Sequence, residues 1–139
     1  MPKIAIYTDG ACFPNPGKGG WGAVFIKDGK TRTYSGSVPD TTNNRMEMLA
    51  ALKALQALPS RCEVTIYSDS QYLVKGMSSW IHGWKKKAFK GVKNPDLWLA
   101  LDKAASRHVI TWQWVRGHNG DKYNELADQL ANQALERNR

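Results

Sequence analysis

Two short apolar segments of this sequence each end at an aspartate, and a helical pattern lies between them. The first, residues 4–8 (IAIYT), is rich in apolar and β-branched side chains and leads directly into Asp9 and Gly10. The second, residues 64–68 (VTIYS), leads into Asp69. Strands joined through a helix are parallel neighbours as a rule, and parallel strands present their carboxyl ends at one edge of the sheet. We therefore predict that Asp9 and Asp69 lie at the same edge.

The segments around these two strands predict an α/β fold. Residues 21–27 and 30–38 have β-forming composition on either side of an Asp28-Gly turn, so the first third of the chain is expected to be an antiparallel meander. Prolines and glycines between residues 10 and 20 predict an irregular connection. The whole order is β-β-β-α-β-α-α-α-β-α, which predicts a single domain over residues 1–139, with a sheet that is part parallel and part antiparallel.

The helical segments and the tryptophans indicate where the core lies. Apolar residues recur at helical spacing from Met48 to Leu58, and Glu47 borders this stripe. Tryptophans in regular elements pack more often than they bind ligands, so four of the six are expected to be largely buried: Trp21, Trp98, Trp112 and Trp114.

Four acids lie at core margins or strand ends, and each has an ordinary structural explanation when taken alone. Asp9 could belong to a turn, and Asp128 could be a solvated helix acid. Asp69 could be a helix cap, because Ser68 and Gln71 have capping-box spacing, and Glu47 has the same spacing from Asn44. Together they favour a different explanation, because packed carboxylates raise one another's proton affinity unless cations neutralise them. An all-oxygen ligand set favours Mg²⁺, with Mn²⁺ as a substitute, over zinc. Two such ions support phosphodiester hydrolysis.

The charge balance favours a polyanionic partner. Twenty Lys and Arg residues against twelve Asp and Glu residues give a formal net charge of +8. Residues 78–93 contain no acid and interleave Trp80, Trp84 and Phe89 with lysines. This segment either binds nucleic acid or is a solubilising loop over a small core cluster. With the acids, the basic composition points to a nuclease.

Two polar residues near the last helix are further candidates. His118 lies in a glycine-flanked loop and is either a surface histidine or a mobile group that handles a proton or helps product release. Asn124 lies one helical turn before Asp128, so the two side chains share a helix face.

The remaining composition predicts a protein of the cytoplasm. Apolar runs are shorter than a membrane span requires, and the N-terminus enters a strand without a basic lead and a long apolar region. Two isolated cysteines, Cys12 and Cys62, predict reduced thiols rather than a disulfide framework. We expect a monomer with no membrane association and no obligatory protein partner.

Seven motifs resemble the bacterial form of type 1 ribonuclease H. They are YTDGAC at 7–12, NPG at 15–17, GGWGA at 19–23, TNNRME at 42–47, YSDSQY at 67–72, WIHGWKK at 80–86, and WVRGH at 114–118 with Asn124 and Asp128. They span nearly the whole chain in family order. The resemblance implies a ribonuclease H-like fold: a five-stranded mixed sheet, three antiparallel strands first and then parallel ones, with helices on both faces.

The resemblance also implies roles for particular residues. It assigns metal binding and catalysis to Asp9, Glu47, Asp69 and Asp128, and turnover assistance to the loop histidine His118. It implies that the substrate, an RNA·DNA hybrid, is bound by Asn15, Thr42, Asn43, Gln71, Trp80, Lys85, Lys86, Lys87, Lys90 and Asn124. Of these, Asn15, Asn43 and Gln71 are expected near the minor groove, where 2′-hydroxyls mark the RNA strand, and Thr42 at a phosphate of the DNA strand.

The family reaction is hydrolysis of the RNA strand with two metal ions, leaving 5′-phosphate and 3′-hydroxyl ends. The chain departs from the best-known bacterial members in a shorter basic protrusion and in Asp40, which stands where a basic residue is familiar. Two other functions stay open at this point: a hybrid-binding module without catalysis, and a transposase- or integrase-like nuclease that acts on DNA.

Overall fold

The computed structural model describes residues 1–117 and 120–137. Five strands and five α-helices follow one another in the predicted order. The strands are β1 (Lys3–Phe13), β2 (Gly17–Lys27), β3 (Lys30–Thr41), β4 (Glu63–Ser68) and β5 (Val109–Trp114). The helices are α1 (Asn43–Gln56), α2 (Gln71–Lys75), α3 (Ile81–Lys86), α4 (Pro95–Ala105) and α5 (Lys122–Arg137), and a π-helical turn, Gly76–Trp80, joins α2 to α3. Within these described ranges, no helix is both long and apolar enough to cross a membrane.

The sheet has the predicted mixed topology. Its strand order is β3-β2-β1-β4-β5, with β1, β2 and β3 antiparallel and β1, β4 and β5 parallel. Strand β1 is therefore central, paired with β2 on one side and with β4 on the other. The register sets Thr8 opposite Ser68, so the residues that follow, Asp9 and Asp69, emerge at the same edge.

The irregular connection predicted between residues 10 and 20 is wrong for most of its length. Strand β1 continues to Phe13 and β2 begins at Gly17, and the two remain paired from Gly10 opposite Trp21 to Phe13 opposite Lys18. The glycines here serve close packing rather than irregular backbone. A Cβ on Gly22 would lie 2.6 Å from the carbonyl oxygen of Ala127 in α5.

Helices cover both faces of the sheet. Successive residues of a strand point to opposite faces, and on β2 a Cβ at Gly19 would meet Met46 of α1, whereas one at Gly20 would meet Ala131 of α5. The larger core lies on the α1 face, where side chains from β1, β2 and β4 pack against α1 and α4. On the other face, α5 presents small side chains, including the buried Ala127 and Ala131, to the sheet.

The prediction for the tryptophans is correct for Trp21 and Trp98, which are buried, and wrong for Trp114, which is 38% exposed. Trp112 is partly buried against the core. Trp114 points to the same face as Ile110 and Trp112, which pack against the core, but it is the last residue of an edge strand, where this cover is incomplete. Trp98 is packed tightly enough that a Cβ on Gly76, in the π-helical turn, would collide with its ring.

Candidate functional site

The two aspartates identified at strand ends meet at the centre of the sheet edge. Asp9 belongs to β1 and is only 3% exposed, and its carboxylate accepts a hydrogen bond from the backbone N–H of Gly10 at 2.9 Å. Asp69 follows the last residue of β4 and is half-buried. The cap of the next helix is Ser70, whose hydroxyl accepts from the N–H of Leu73. The helix cap is therefore supplied by Ser70 and not by Asp69.

Helix α1 brings the third acid, Glu47, to the same place. A Cβ on Gly10 would lie 2.5 Å from the backbone nitrogen of Glu47, so α1 rests directly on the backbone of β1 beside Asp9. The helix begins after Thr42, whose hydroxyl accepts from the N–H of Arg45. Glu47 is 6% exposed and faces the core margin, which disfavours a capping role at this helix.

The three acids form a group that can hold a divalent metal ion. One carboxylate oxygen from each of Asp9, Glu47 and Asp69 lies within 4.8 Å of the other two. Asp128, from α5 on the other face of the sheet, is close enough to Asp9 to raise the pKa of its carboxyl, but it is not part of the three-carboxylate group. All four predicted acids therefore lie in one neighbourhood around Asp9.

The electrostatics of this cluster favour a bound cation. Burial, with the charges of Asp69 and Asp128 acting in the same direction and the neighbouring Glu47 acting against them, raises the pKa of Asp9 to about 8. Burial raises the pKa of Glu47 well above its ordinary value, and the charges of Asp9 and Asp69 act in the same direction. A cation at this point would replace the protons that the cluster otherwise holds.

The donor set fits a hard cation. Every candidate ligand atom is a carboxylate oxygen, as Mg²⁺ and Mn²⁺ prefer. The Oε1 atom of Glu47 is buried and has no hydrogen-bond partner within the described structure. Because buried polar atoms ordinarily have partners, this oxygen is an acceptor left over for an ion or its water shell.

Two of the predicted minor-groove residues are close in sequence to the acids. Asn43 lies one helical turn before Glu47, and Gln71 is exposed and opens α2, two residues after Asp69. The side chain of Asn15, in the turn between β1 and β2, accepts a hydrogen bond from the backbone N–H of Asn43 at 3.1 Å, which ties that turn to the start of α1. The contact of these residues with substrate stays a prediction.

The basic segment is connected to the core by a chain of aromatic rings. Trp80 is 43% exposed, and its ring centroid is 5.9 Å from that of Trp84. The ring centroid of Trp98 is 5.0 Å from that of Trp84 and 5.2 Å from that of Tyr72. Lys85, which pairs with an acid of α4, and three further lysines are exposed around these rings: Lys86, Lys87 and Lys90. The segment is thus an anchored basic surface rather than a free loop.

Two other candidate residues, His118 and Asn124, stay predictions for different reasons. His118 lies outside the described residues, and its predicted role stays a prediction. Asn124 is 2% exposed, and its side-chain oxygen has no hydrogen-bond partner among the described residues. Its predicted contact with substrate likewise stays a prediction.

Arg45 joins two helices close to Glu47, a role that the sequence did not predict. Its guanidinium binds both carboxylate oxygens of Asp96 at 2.7 and 3.0 Å, and also the side-chain oxygen of Asn94 at 3.1 Å. Asn94 in turn donates to the hydroxyl of Tyr72. The start of α1 is thereby joined to the start of α4. The only sequence signal was an arginine in the first turn of one helix and an aspartate in the first turn of another.

Comparison with known proteins gives one consistent result. The model of the family described as RNase H matches residues 1–136. The chain is 55% identical over 141 aligned positions to a protein named ribonuclease H from Herminiimonas arsenicoxydans, an alignment that covers 98% of this chain and 97% of the relative.

Two solved structures give the same result at the level of the fold. LC9-RNase H1, described as a type 1 RNase H with the type 2 active-site motif, has a TM-score of 0.91 at 32% identity, over 100% of this chain and 74% of that one. LC11-RNase H1 in complex with an RNA/DNA hybrid has a TM-score of 0.72 at 28% identity, over 97% and 98% of the two chains.

Proposed function

The chain belongs to the ribonuclease H family of hydrolases, and from this premise we propose that its acidic cluster cleaves the RNA strand of RNA·DNA hybrids as an endonuclease with two bound metal ions. The observation that carries the proposal is the meeting of three carboxylates, from Asp9, Glu47 and Asp69, within 4.8 Å of one another in a largely buried setting. The hybrid bound by a solved relative of the same fold supports the choice of substrate.

The ions are Mg²⁺, with Mn²⁺ able to replace it, because the donors are carboxylate oxygens with no sulfur or imidazole among the described ligands. When bound, two such ions would activate a water molecule and stabilise the leaving oxygen. Asp9, which has acidic neighbours on both faces of the sheet, would serve as a ligand to both ions. Glu47, Asp69 and Asp128 would supply the other carboxylate ligands.

The chain's own residues orient the hybrid over these acids. Asn15, Asn43 and Gln71 are proposed to contact the minor groove, in which 2′-hydroxyl groups distinguish the RNA strand; the hydrogen bond between Asn15 and Asn43 and the exposure of Gln71 support this. Thr42 seats a phosphate of the DNA strand, and the lysines with Trp80 hold its backbone further along. Attack of water on the scissile phosphorus with cleavage of its bond to the 3′ oxygen, which leaves as a hydroxyl group, gives 5′-phosphate and 3′-hydroxyl ends.

His118 is proposed to assist turnover by moving a proton or by helping the product leave. It follows Gly117, whose backbone lies against the carboxylate of Asp69. The cytoplasmic location, the monomeric state and the lack of an obligatory protein partner, all predicted from the sequence, remain predictions.

The test is Asp9→Asn, with Asp28→Asn as the matched control. Asp28 is an exposed hairpin residue with a φ of 52°, a conformation that asparagine tolerates well. We expect end-labelled hybrid to be cut in Mg²⁺ by the wild type and by the control, and binding without cleavage by Asp9→Asn. Chromatography of the products identifies the ends. Undiminished cleavage by Asp9→Asn would refute the assignment, and equal cleavage of duplex DNA would refute the substrate.

A further inference from the structure

An exposed tryptophan makes a specific hydrogen bond to one of the four acids. The indole N–H of Trp114 donates to the backbone carbonyl oxygen of Asp69 at 3.1 Å. Trp114 is paired with Ser68 in the last rung of the β4–β5 ladder, so Asp69 lies one residue beyond the paired strands. The indole N–H therefore adds a side-chain hydrogen bond to the backbone of Asp69, directly after the last backbone pair of the two strands.

The rest of this turn is held equally closely. The N–H of Val115 donates to the carbonyl oxygen of Ser68 at 2.9 Å, and the N–H of Ser70 donates to the hydroxyl of Ser68 at 3.0 Å. Bonds on both sides of Asp69 thus fix its backbone between the strand and the helix that follows. Trp114 contributes the only one of these bonds that reaches Asp69 itself among the described residues.

The side chain of Asp69 is limited from another direction by Gly117. A Cβ on Gly117 would lie 2.7 Å from Oδ2 of Asp69 and 3.4 Å from its Cβ and Cγ. Real Cβ atoms do not come so close to a fixed neighbour, so any larger residue would displace this carboxylate. The backbone after β5 therefore forms one wall of the space that the Asp69 carboxylate occupies.

The exposure of Trp114 shows what its large side chain contributes. At 38% exposed on an edge strand, its ring gains less from burial than Trp98, which is fully buried. Its polar end, by contrast, has a partner that a phenylalanine or tyrosine ring could not bind in the same way. The N–H group is therefore the distinguishing feature of tryptophan at this position.

We propose that Trp114 and Gly117 are positioning residues that hold Asp69 at metal-binding distance from Asp9 and Glu47, and so set the metal affinity of the site. This inference rests on the proposed function. Neither residue touches the reacting atoms: Trp114 acts through the backbone of Asp69, and Gly117 through the space it leaves for the carboxylate.

The test compares Trp114→Phe with Trp112→Phe. The first keeps most of the ring and removes the N–H. The second removes the same atoms from a partly buried tryptophan of the same strand, whose indole has no hydrogen bond within the described structure. Calorimetric titration of hybrid-free protein with Mg²⁺ gives metal affinity without reference to activity. Thermal unfolding of both variants without metal reports any general loss of structure.

We expect Trp114→Phe to weaken Mg²⁺ binding by about 3- to 10-fold, the range that loss of one hydrogen bond supports. The turnover number should fall at low Mg²⁺ and recover at high Mg²⁺, with the KM for hybrid unchanged. Trp112→Phe should retain the Mg²⁺ affinity of the wild type. Gly117→Ala should weaken Mg²⁺ binding more than Trp114→Phe, since the added methyl group displaces the carboxylate itself.

Two results would overturn the inference. If Trp114→Phe binds Mg²⁺ as the wild type does and raises only the KM, the indole contacts substrate and does not position Asp69. If both tryptophan variants weaken Mg²⁺ binding equally, the effect is a general one of the strand. Failure of the proposed function is a separate result, because it would appear as wild-type protein that does not cleave hybrid at any Mg²⁺ concentration.

Discussion

Replacing Asp9 by asparagine is expected to stabilise the metal-free protein, although the proposed function requires that it remove catalysis. Burial and the neighbouring acids raise the pKa of Asp9 from 3.8 to about 8. Between these two values the folded state binds more protons than the unfolded state, so the free energy of unfolding falls as pH rises through this window. Asparagine removes that dependence at this position while keeping the shape of the side chain.

The magnitude follows from the pKa shift. pH 7 lies about three units above 3.8, the ordinary pKa that the carboxyl has in the unfolded state, and each unit is worth about 1.4 kcal/mol. The raised pKa in the native state therefore lowers the free energy of unfolding at pH 7 by roughly 4 kcal/mol. This is an upper figure, because Glu47 shares the same charge and proton. We expect Asp9→Asn to raise the free energy of unfolding by about 1–4 kcal/mol at pH 7, with a smaller gain at pH 5.

The assay is urea unfolding of wild type, Asp9→Asn and the Asp28→Asn control with a chelator, repeated from pH 5 to pH 8. Adding Mg²⁺ should stabilise the wild type more than the variant, because a ligand of the native state stabilises it in proportion to its binding. The reasoning is refuted if the variant gains nothing at pH 8, or if its gain is as large at pH 5 as at pH 8.

Three further predictions concern other parts of the molecule. Arg45→Lys should lose the two-pronged contact with Asp96 and cost at most about 1 kcal/mol, since the pair is partly exposed, and a double-mutant cycle of urea unfolding measures the coupling. Burial lowers the pKa of His108, so the folded state favours its neutral form, and the free energy of unfolding falls as pH drops below 6.5. His108→Gln should weaken this acid dependence, as measured by the same urea unfolding assay. Lys87→Ala should reduce the slope of log affinity for hybrid against log salt concentration by about 1. Lys85→Ala should reduce it by less, because Lys85 already forms an ion pair with Asp102. Fluorescence anisotropy at several salt concentrations measures both slopes.

The sequence predicted the order of the elements along the chain, the mixed sheet and the edge at which Asp9 and Asp69 meet, because these follow from local pattern. A helix between two β-branched runs makes the two strands parallel, so the acids that follow the runs lie at one edge, although β1 itself continues past Asp9 to Phe13. The three acids meet because β1 and β4 are parallel neighbours and α1 packs on β1. The alternative that Glu47 and Asp69 belong to capping boxes could be decided only by the structure, in which Thr42 and Ser70 cap the two helices.

The errors have a common physical origin in contacts between distant segments. Gly19 and Gly20 looked like loop residues, but they lie in a strand because helices from both faces approach its backbone. Trp114 looked like a core residue because its type usually is, but its strand lies at the edge of the sheet. Composition along the chain contains no information about which helix will rest on a strand, or which strand will be last in the sheet.

The bare backbone of β2 also determines how the site responds to heat. Helix α5, which carries Asp128, rests on Gly20 and Gly22 with no side chain between helix and strand. At an interface between side chains, rotamer changes let the distance between helix and sheet increase gradually. Where the helix backbone packs directly on the strand backbone, no strand side chain is there to change rotamer, so the distance cannot increase gradually. The spacing between Asp128 and the acids of the opposite face should therefore stay constant on warming until the helix leaves the sheet, so that activity would end abruptly at unfolding instead of declining before it.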